Sequence, residues 1–392
     1  MKSISILATS VLVALSFLCS CGHPAPADTR PQDYLPLLQG QRTAVFSNHT
    51  AMVGEQHLVD VLLEGGVPVT AIFSPEHGFR GKADAGEGVS DSIDPATGVP
   101  ILSLYGPGGD VHPSADAMAR FDILVADIQD VGLRFYTYYI TLCHLVEACG
   151  KHGKKLVLLD RPNPNGMYVD GPILDMTLKS GVGRLPIPTV HGMTLGELAQ
   201  MANGEGWLKD GQKCDLTVIP CQNYTHQTRY TLPIAPSPNL PNMLSIYLYP
   251  SMCYFEGTTV SLGRGTDWPF QVYGHPAMTG YDFEFTPKSR PGAKTPPQMD
   301  KLCHGVDLHN LDAEKVISKG INLEYVIDAY RNLTKNGEEF YLKSNFFDLL
   351  MGTKSVRDMI AQGKSAAEIK ATWQADVELF KVQRRPYLLY PE

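Results

Sequence analysis

The stretch "VPVTAIFSPEHGFRG" (Val67–Gly81) decides how the rest of the chain is read. Its first seven residues are mostly apolar and rich in Val, Ile and Phe, the pattern of a strand buried on both faces. Directly after it come Pro75, Glu76, His77, Gly78, Arg80 and Gly81. A buried strand that ends at once in a carboxylate, an imidazole and a guanidinium is either a polar turn or the lip of a site. What stands at the ends of the other strands decides between the two.

Outward from this stretch, short apolar runs alternate with helical patterns. "TAVFS" (43–47), "VPILSLYG" (99–106), "DILVADI" (122–128), "KLVLLD" (155–160) and "DLTVIPC" (215–221) read as strands. "HLVDVLLEGG" (57–66) has helical spacing and a glycine stop, and "SADAMARF" (114–121) opens with a good N-cap. Residues 135–151 read as a helix, and "TLGELAQMANGEG" (194–206) starts with the capping box Thr194 and Glu197. Such alternation predicts an α/β fold, a doubly wound, mainly parallel sheet with helices on both faces. After the Pro-rich "PIAPSPNLPNM" (233–243) the rhythm changes. Irregular Gly- and Pro-rich segments lead to helical patterns at 323–333, 346–363 and 365–390. The reading is a first domain over 39–235 and a smaller α+β domain over 236–392.

In open parallel sheets, ligands bind outside the carboxyl ends of the strands. The first strand ends in Asn48 and His49, and the second in the opening stretch. The fourth runs into Asp127, Asp130 and Arg134, and the fifth into Asp160, Arg161 and Asn163. Each alone reads first as a cap or a satisfied turn; their recurrence at one edge points to a site. His191 lies just ahead of a helix N-terminus, where an anionic group can sit. Farther on, Asn239 sits in "PSPNLP", and Glu256, Arg264 and Trp268 in a glycine-rich run. Glu256 is either a second active-site carboxylate or a salt-bridged interface residue. There is no GxGxxG after the first strand, no Walker loop and no GxSxG elbow, which disfavours dinucleotide, nucleotide and α/β-hydrolase chemistry.

The chain has 392 residues, 43% hydrophobic and 19% charged, ordinary values for a packed protein. A net charge of −8 argues against a nucleic-acid partner. Residues 1–20 read as a secretory signal, with Lys2 ahead of an apolar core. The ending Leu18-Cys19-Ser20-Cys21 resembles a bacterial lipobox, which implies lipidation of Cys21 and a membrane association through that anchor alone. Residues 21–38 then read as a Pro-rich tether. The six later cysteines form no CxxC pair, so a zinc ribbon is not expected.

"SPEHGFRG", "DIQDVGLRFYTY", "LDRPNPNG", "GPIL", "HGMTLGELA", "PSPNLP" and "FEGTTVSLGRGTDWPF" occur in that order. Together they resemble the exo-β-N-acetylmuramidase (NamZ-like) family, glycoside hydrolase family 171, from about residue 40 to the C-terminus. Family members usually have Gly where Ser74 stands. The resemblance implies a Rossmann-like first domain, a smaller second domain and a cleft between them. It also implies release of N-acetylmuramic acid from non-reducing ends of peptidoglycan fragments. The missing motifs lead to an expectation of no cofactor and no metal.

Glycoside cleavage needs a proton for the leaving oxygen and stabilisation of an oxocarbenium-like transition state. Glu76 is the expected general acid, at a strand end in a turn partly walled by apolar residues. His77 can orient it or share the proton work. Asp127 and Glu256 lead as the second carboxylate, with Asp130 and Asp160 behind them or on the sugar. Arg80, Arg134, Arg161 and Arg264 suit the lactyl carboxylate of the substrate. Asn48, Asn163 and Asn239 suit hydroxyls or the acetamido group, and Tyr136, Tyr138 and Trp268 suit a ring face. Two other readings stay open: a non-catalytic sugar-binding lipoprotein, and metal-assisted hydrolysis by His49, His77, Asp127, Asp160 and His191.

Overall fold

The computed structural model describes residues 22–76, 78–79, 91–104 and 112–392. His77, Arg80, the segment 1–20 and the proposed lipidation residue Cys21 lie outside the described residues.

Among the described residues the main sheet has seven strands: β1 (Thr43–Ser47), β2 (Val69–Ser74), β3 (Ser92–Ile93), β4 (Pro100–Ser103), β5 (Ile123–Asp127), β6 (Lys155–Leu159) and β7 (Asp215–Ile219). Their spatial order is β3-β4-β2-β1-β5-β6-β7. All neighbours pair in parallel except the two-residue edge strand β3, which runs against β4. Leaving out that edge strand, the order is that of doubly wound dinucleotide-type sheets, with the reversal between β1 and β5. Strands β1 and β5 are buried at every residue, as an apolar run covered on both faces requires.

Helices α1 (Pro31–Leu38), α2 (Leu58–Glu64), α3 (Ala115–Met118), α4 (Tyr138–Lys151) and α5 (Leu195–Gly204) accompany the sheet. Ser114 accepts from Ala117 N at the start of α3, and Thr194 and Glu197 close the expected capping box on α5. The second domain starts with α6 (Met243–Met252) and carries a three-stranded antiparallel sheet, β8 (Val272–His275), β9 (Phe283–Phe285) and β10 (Cys303–Asp307). Helices α7 (Ala313–Lys319), α8 (Glu324–Lys335), α9 (Phe346–Met351), α10 (Ser355–Ala361), α11 (Ala366–Ala371) and α12 (Gln374–Arg384) complete it. The patterns at 346–363 and 365–390 each split into two helices. The first break falls at Gly352, at φ 79°, where a Cβ would lie 2.4 Å from the Arg134 guanidinium.

One apolar cluster runs through both domains, from Phe46 and Leu124 to Trp373 and Phe380. The chain end returns to the first domain, where Tyr390 donates to Asp160 at 2.6 Å.

The N-terminal stretch corrects the sequence reading. The described part of the expected 21–38 tether is folded against the sheet. Ala25 and Gln222 exchange two backbone hydrogen bonds at 2.9 Å, and Ala27 N donates to Asp160 O at 2.9 Å. Tyr34 and Leu38 are buried on α1. The prolines here start a helix and shape a buried crossing; composition alone had suggested an extended linker. The six cysteines from Cys143 onward are buried and free.

Candidate active site

A cavity of about 490 Å³ opens between the two domains. That size falls within the range of small-molecule sites, roughly 300–1,000 Å³. The first domain contributes Glu76 after β2 and Phe135, Tyr136 and Thr137 ahead of α4. The second contributes Tyr249, Glu256, Arg264 and Phe270, and the segment 292–297 with Lys294. The two domains thus place Glu76 and Glu256 in one cavity.

Glu76 accepts a hydrogen bond at Oε2 from Thr137 Oγ1 at 2.5 Å. Thr137 stands at the N-cap of α4 but makes no capping bond; its hydroxyl goes to Glu76 instead. Glu256 faces Arg264, which donates to its Oε1 from Nη2 at 2.5 Å and from Nε at 3.2 Å. The guanidinium also lies 5.0 Å from the Phe270 ring centre. Burial works against the Arg264 charge, but Glu256 beside it more than offsets this, so the arginine stays cationic. Tyr136 lines the cavity with its ring, while its hydroxyl and that of Tyr138 both donate to Pro236 O, at 3.0 and 3.1 Å. Burial, with Tyr138 beside it, pushes the Tyr136 phenol well up, so it remains a neutral donor.

Most other residues singled out from the sequence lie at the same edge but hold the fold. Asp127 is buried and paired with Arg161 at 2.5 Å, and Arg161 also pairs with Asp28 at 2.6 Å. Asp127 therefore does not stand as the second catalytic carboxylate, and Arg161 is not available to a substrate. Burial first, and then Asp127 nearby, push the Asp28 carboxyl up to about 7. Arg134, fully buried, donates to the carbonyls of Pro172, Ile187, Leu350 and Met351. It joins the two domains and cannot read a lactyl carboxylate.

Asp160 occupies the N-terminus of α5, accepting from Thr194 Oγ1 at 2.6 Å and Gly196 N at 2.8 Å. The anion expected at that helix start is thus the protein's own carboxyl, which burial pushes up to about 6. His191 is buried, accepts from Met193 N, and is driven down to about 3 by burial and by Arg384. Asn48 bonds Thr50 and Tyr138, Asn163 bonds Met193 O and Asn165 N, and Asn239 bonds Gly292 O at 2.7 Å. Asn48 and Asn163 are thereby committed to loop geometry, and Asn239 fixes a cavity wall. Asp130 is buried, accepts from Gly132 N at 2.7 Å, and is pushed up to about 7 by desolvation. Trp268 stacks on His309 at 4.9 Å and does not line the cavity. The metal reading also fails among the described residues, because Asp127, Asp160 and His191 are engaged apart from one another.

The sequence reading missed Thr137 and Lys294. Thr137 had a signal, as a polar residue in an apolar run opening a helix. Lys294 had none, since it sits in an irregular loop far from every motif.

Residues 43–244 match the family described as Exo-beta-N-acetylmuramidase NamZ, N-terminal, and residues 247–390 its C-terminal counterpart. The chain belongs to this NamZ family. Among curated proteins it is similar to the peptidoglycan beta-N-acetylmuramidase NamZ of Bacillus subtilis (strain 168), 38% identical over 381 residues, covering 93% of this chain and 90% of that protein. Among solved structures it is similar to a DUF1343 family protein of Bacteroides fragilis, with TM-score 0.88 and 62% identity over 95% of this chain and 100% of the other. A second DUF1343 family protein of that organism matches with TM-score 0.79 and 26% identity, covering 94% and 99%. The family match spans the residues of both walls of the cavity.

Proposed function

We propose that this chain is an exo-acting glycoside hydrolase that releases N-acetylmuramic acid from non-reducing ends of peptidoglycan fragments. The single observation that carries the reading is the inter-domain cavity holding Glu76, on the wall set by β2, opposite the Glu256–Arg264 pair. The muramidase named among its relatives supports the substrate class.

In this reading Glu76 protonates the leaving oxygen, and Thr137 positions its carboxyl. Arg264, held flat by Glu256 and Phe270, receives the lactyl carboxylate, with Lys294 at the rim. Among the arginines first considered, it is the one that the described residues place in the cavity. Glu256 acts through that arginine as a positioning residue. The test is direct: the soluble chain is incubated with a MurNAc-GlcNAc disaccharide and free N-acetylmuramic acid is measured. Binding of the disaccharide without release of either sugar would favour a sugar-binding protein instead.

We also propose that the protein is a lipoprotein of the bacterial envelope, anchored through Cys21. The Leu-x-Ser-Cys ending of the apolar leader supports this. Cys21→Ala should move the protein from the membrane fraction to the soluble one; a variant that still sediments with membranes would refute the anchor.

A further inference from the structure

Away from the cleft, three side chains on the α4 side of the first domain converge. His144 and Glu147 stand three residues apart on α4, on one helix face. His112 reaches them from the segment just ahead of α3. His112 Nε2 and His144 Nδ1 are 3.0 Å apart, and His144 Nδ1 lies 3.7 Å from Glu147 Oε2. All three donor atoms fall within 4.8 Å of one another. In a tetrahedral zinc site with ordinary bond lengths, neighbouring donors stand about 3.3 Å apart. The set is therefore close to ligand spacing before any ion arrives.

Glu147 gives an independent sign. It is 5% exposed. Its Oε1 is fully used, accepting from Arg184 Nη2 at 2.5 Å and from Lys209 N at 2.7 Å. Its Oε2 is buried without a hydrogen-bond partner and lies beside both imidazoles. A buried carboxylate oxygen whose nearest donor is His144 Nδ1 at 3.7 Å is costly unless something positive occupies the space. A carboxylate whose other oxygen is tied by Arg184 and an amide is also the usual way a ligand is held in place. A cavity of about 190 Å³ next to the cluster, lined by His112, Glu147 and His152, leaves room for a water ligand.

We propose that His112, His144 and Glu147 form a Zn2+ site, with solvent in the fourth position. None of the three lines the catalytic cavity, so the ion does not take part in glycoside cleavage. It fastens the segment ahead of α3 to the helix whose first turn follows Thr137. Arg184 sets the limit on affinity. Its Nη1 donates to His144 Nε2 at 3.4 Å, a long bond that favours the Nδ1–H tautomer and is lost when metal takes Nδ1. Metal on Nδ1 then leaves Nε2–H facing a cation. Binding is therefore weaker than in a dedicated zinc finger.

The test uses the whole soluble chain, stripped with a chelator and dialysed, and titrated calorimetrically with ZnCl2. The expected result is one saturable Zn2+ per chain, a rise in Tm, and the visible absorption of tetrahedral Co2+ when Co2+ replaces zinc. His112 is exposed, so His112→Ala should fold normally yet weaken binding at least about tenfold. His152→Ala, on the same cavity wall, should bind as the parent does. Absence of saturable uptake, or a His112→Ala chain that binds like the parent, overturns the proposal.

Discussion

Thr137 donates its hydroxyl to Oε2 of Glu76 at 2.5 Å, across 61 residues of sequence. One residue follows β2 and the other opens α4 after β5, so the bond spans the reversal point of the sheet. It fixes the direction in which the carboxyl presents itself to the cavity.

Glu76→Gln keeps shape and removes ionisation. Turnover of MurNAc-GlcNAc should fall by about 10²–10⁴-fold, the usual range for a general acid. Affinity for N-acetylmuramic acid should change little, because the acid acts mainly in the transition state. An aryl glycoside with a very acidic leaving group should be partly spared at the bond-breaking step. Near-normal turnover of the disaccharide would move the role to another group, with His77 next.

Thr137→Val removes the hydroxyl at nearly constant volume. The expected loss is about tenfold in kcat with little change in KM, since the hydrogen bond serves to orient the Glu76 carboxyl. Thr137→Ser should restore most of the rate. An equal deficit in both variants would mean that packing, rather than the hydrogen bond, matters here.

Arg264→Gln should raise KM for muramyl substrates by about ten- to a hundredfold, the worth of a charge-assisted hydrogen bond. The otherwise identical glycoside without the lactyl group should be affected far less. A uniform loss on both substrates would show that Arg264 serves the cavity wall and not the lactyl carboxylate.

Asp130 offers a stability test. Burial pushes its carboxyl from 3.8 to about 7, with no cation among the causes. Between those values the folded chain keeps the proton while the unfolded chain releases it. Its contribution is therefore most favourable below the unfolded value and is lost as pH rises toward 7. Asp130→Asn should remove this slope, gaining on the order of 4 kcal/mol at pH 8 relative to its effect at pH 4. Urea melts of both proteins at the two pH values give the comparison, and parallel profiles would contradict it.

Removal of residues 22–38 should destabilise the enzyme by at least about 3 kcal/mol, hence by about 4 °C or more in Tm. It takes Asp28 from the buried Asp28–Arg161–Asp127 triad and uncovers the surface that Tyr34 and Leu38 fill. A chain starting at Gly22 should melt like the parent. If the shorter chain melts at the same temperature, the N-terminal segment is dispensable after all.

The sequence by itself determined the strand and helix succession, the capping box at Thr194 and Glu197, and the edge at which polar residues gather. These are local properties, set by apolar periodicity and by side chains that bond backbone three residues away. It also put Glu76 at a strand end, where a carboxylate can face a cavity. What only the tertiary structure decided is which of the gathered side chains remain available. Asp127, Asp160, Arg134 and Arg161 resemble Glu76 and Arg264 in chemistry and setting. Each of these four is consumed by a partner elsewhere in the chain: Arg161 for Asp127, Asp28 for Arg161, Tyr390 for Asp160, Met351 for Arg134. Burying a polar group demands such a partner, and the partner is found wherever the fold brings one. Residues 22–38 followed the same rule, since a Pro-rich stretch folds once a sheet edge and a buried arginine are there to receive it.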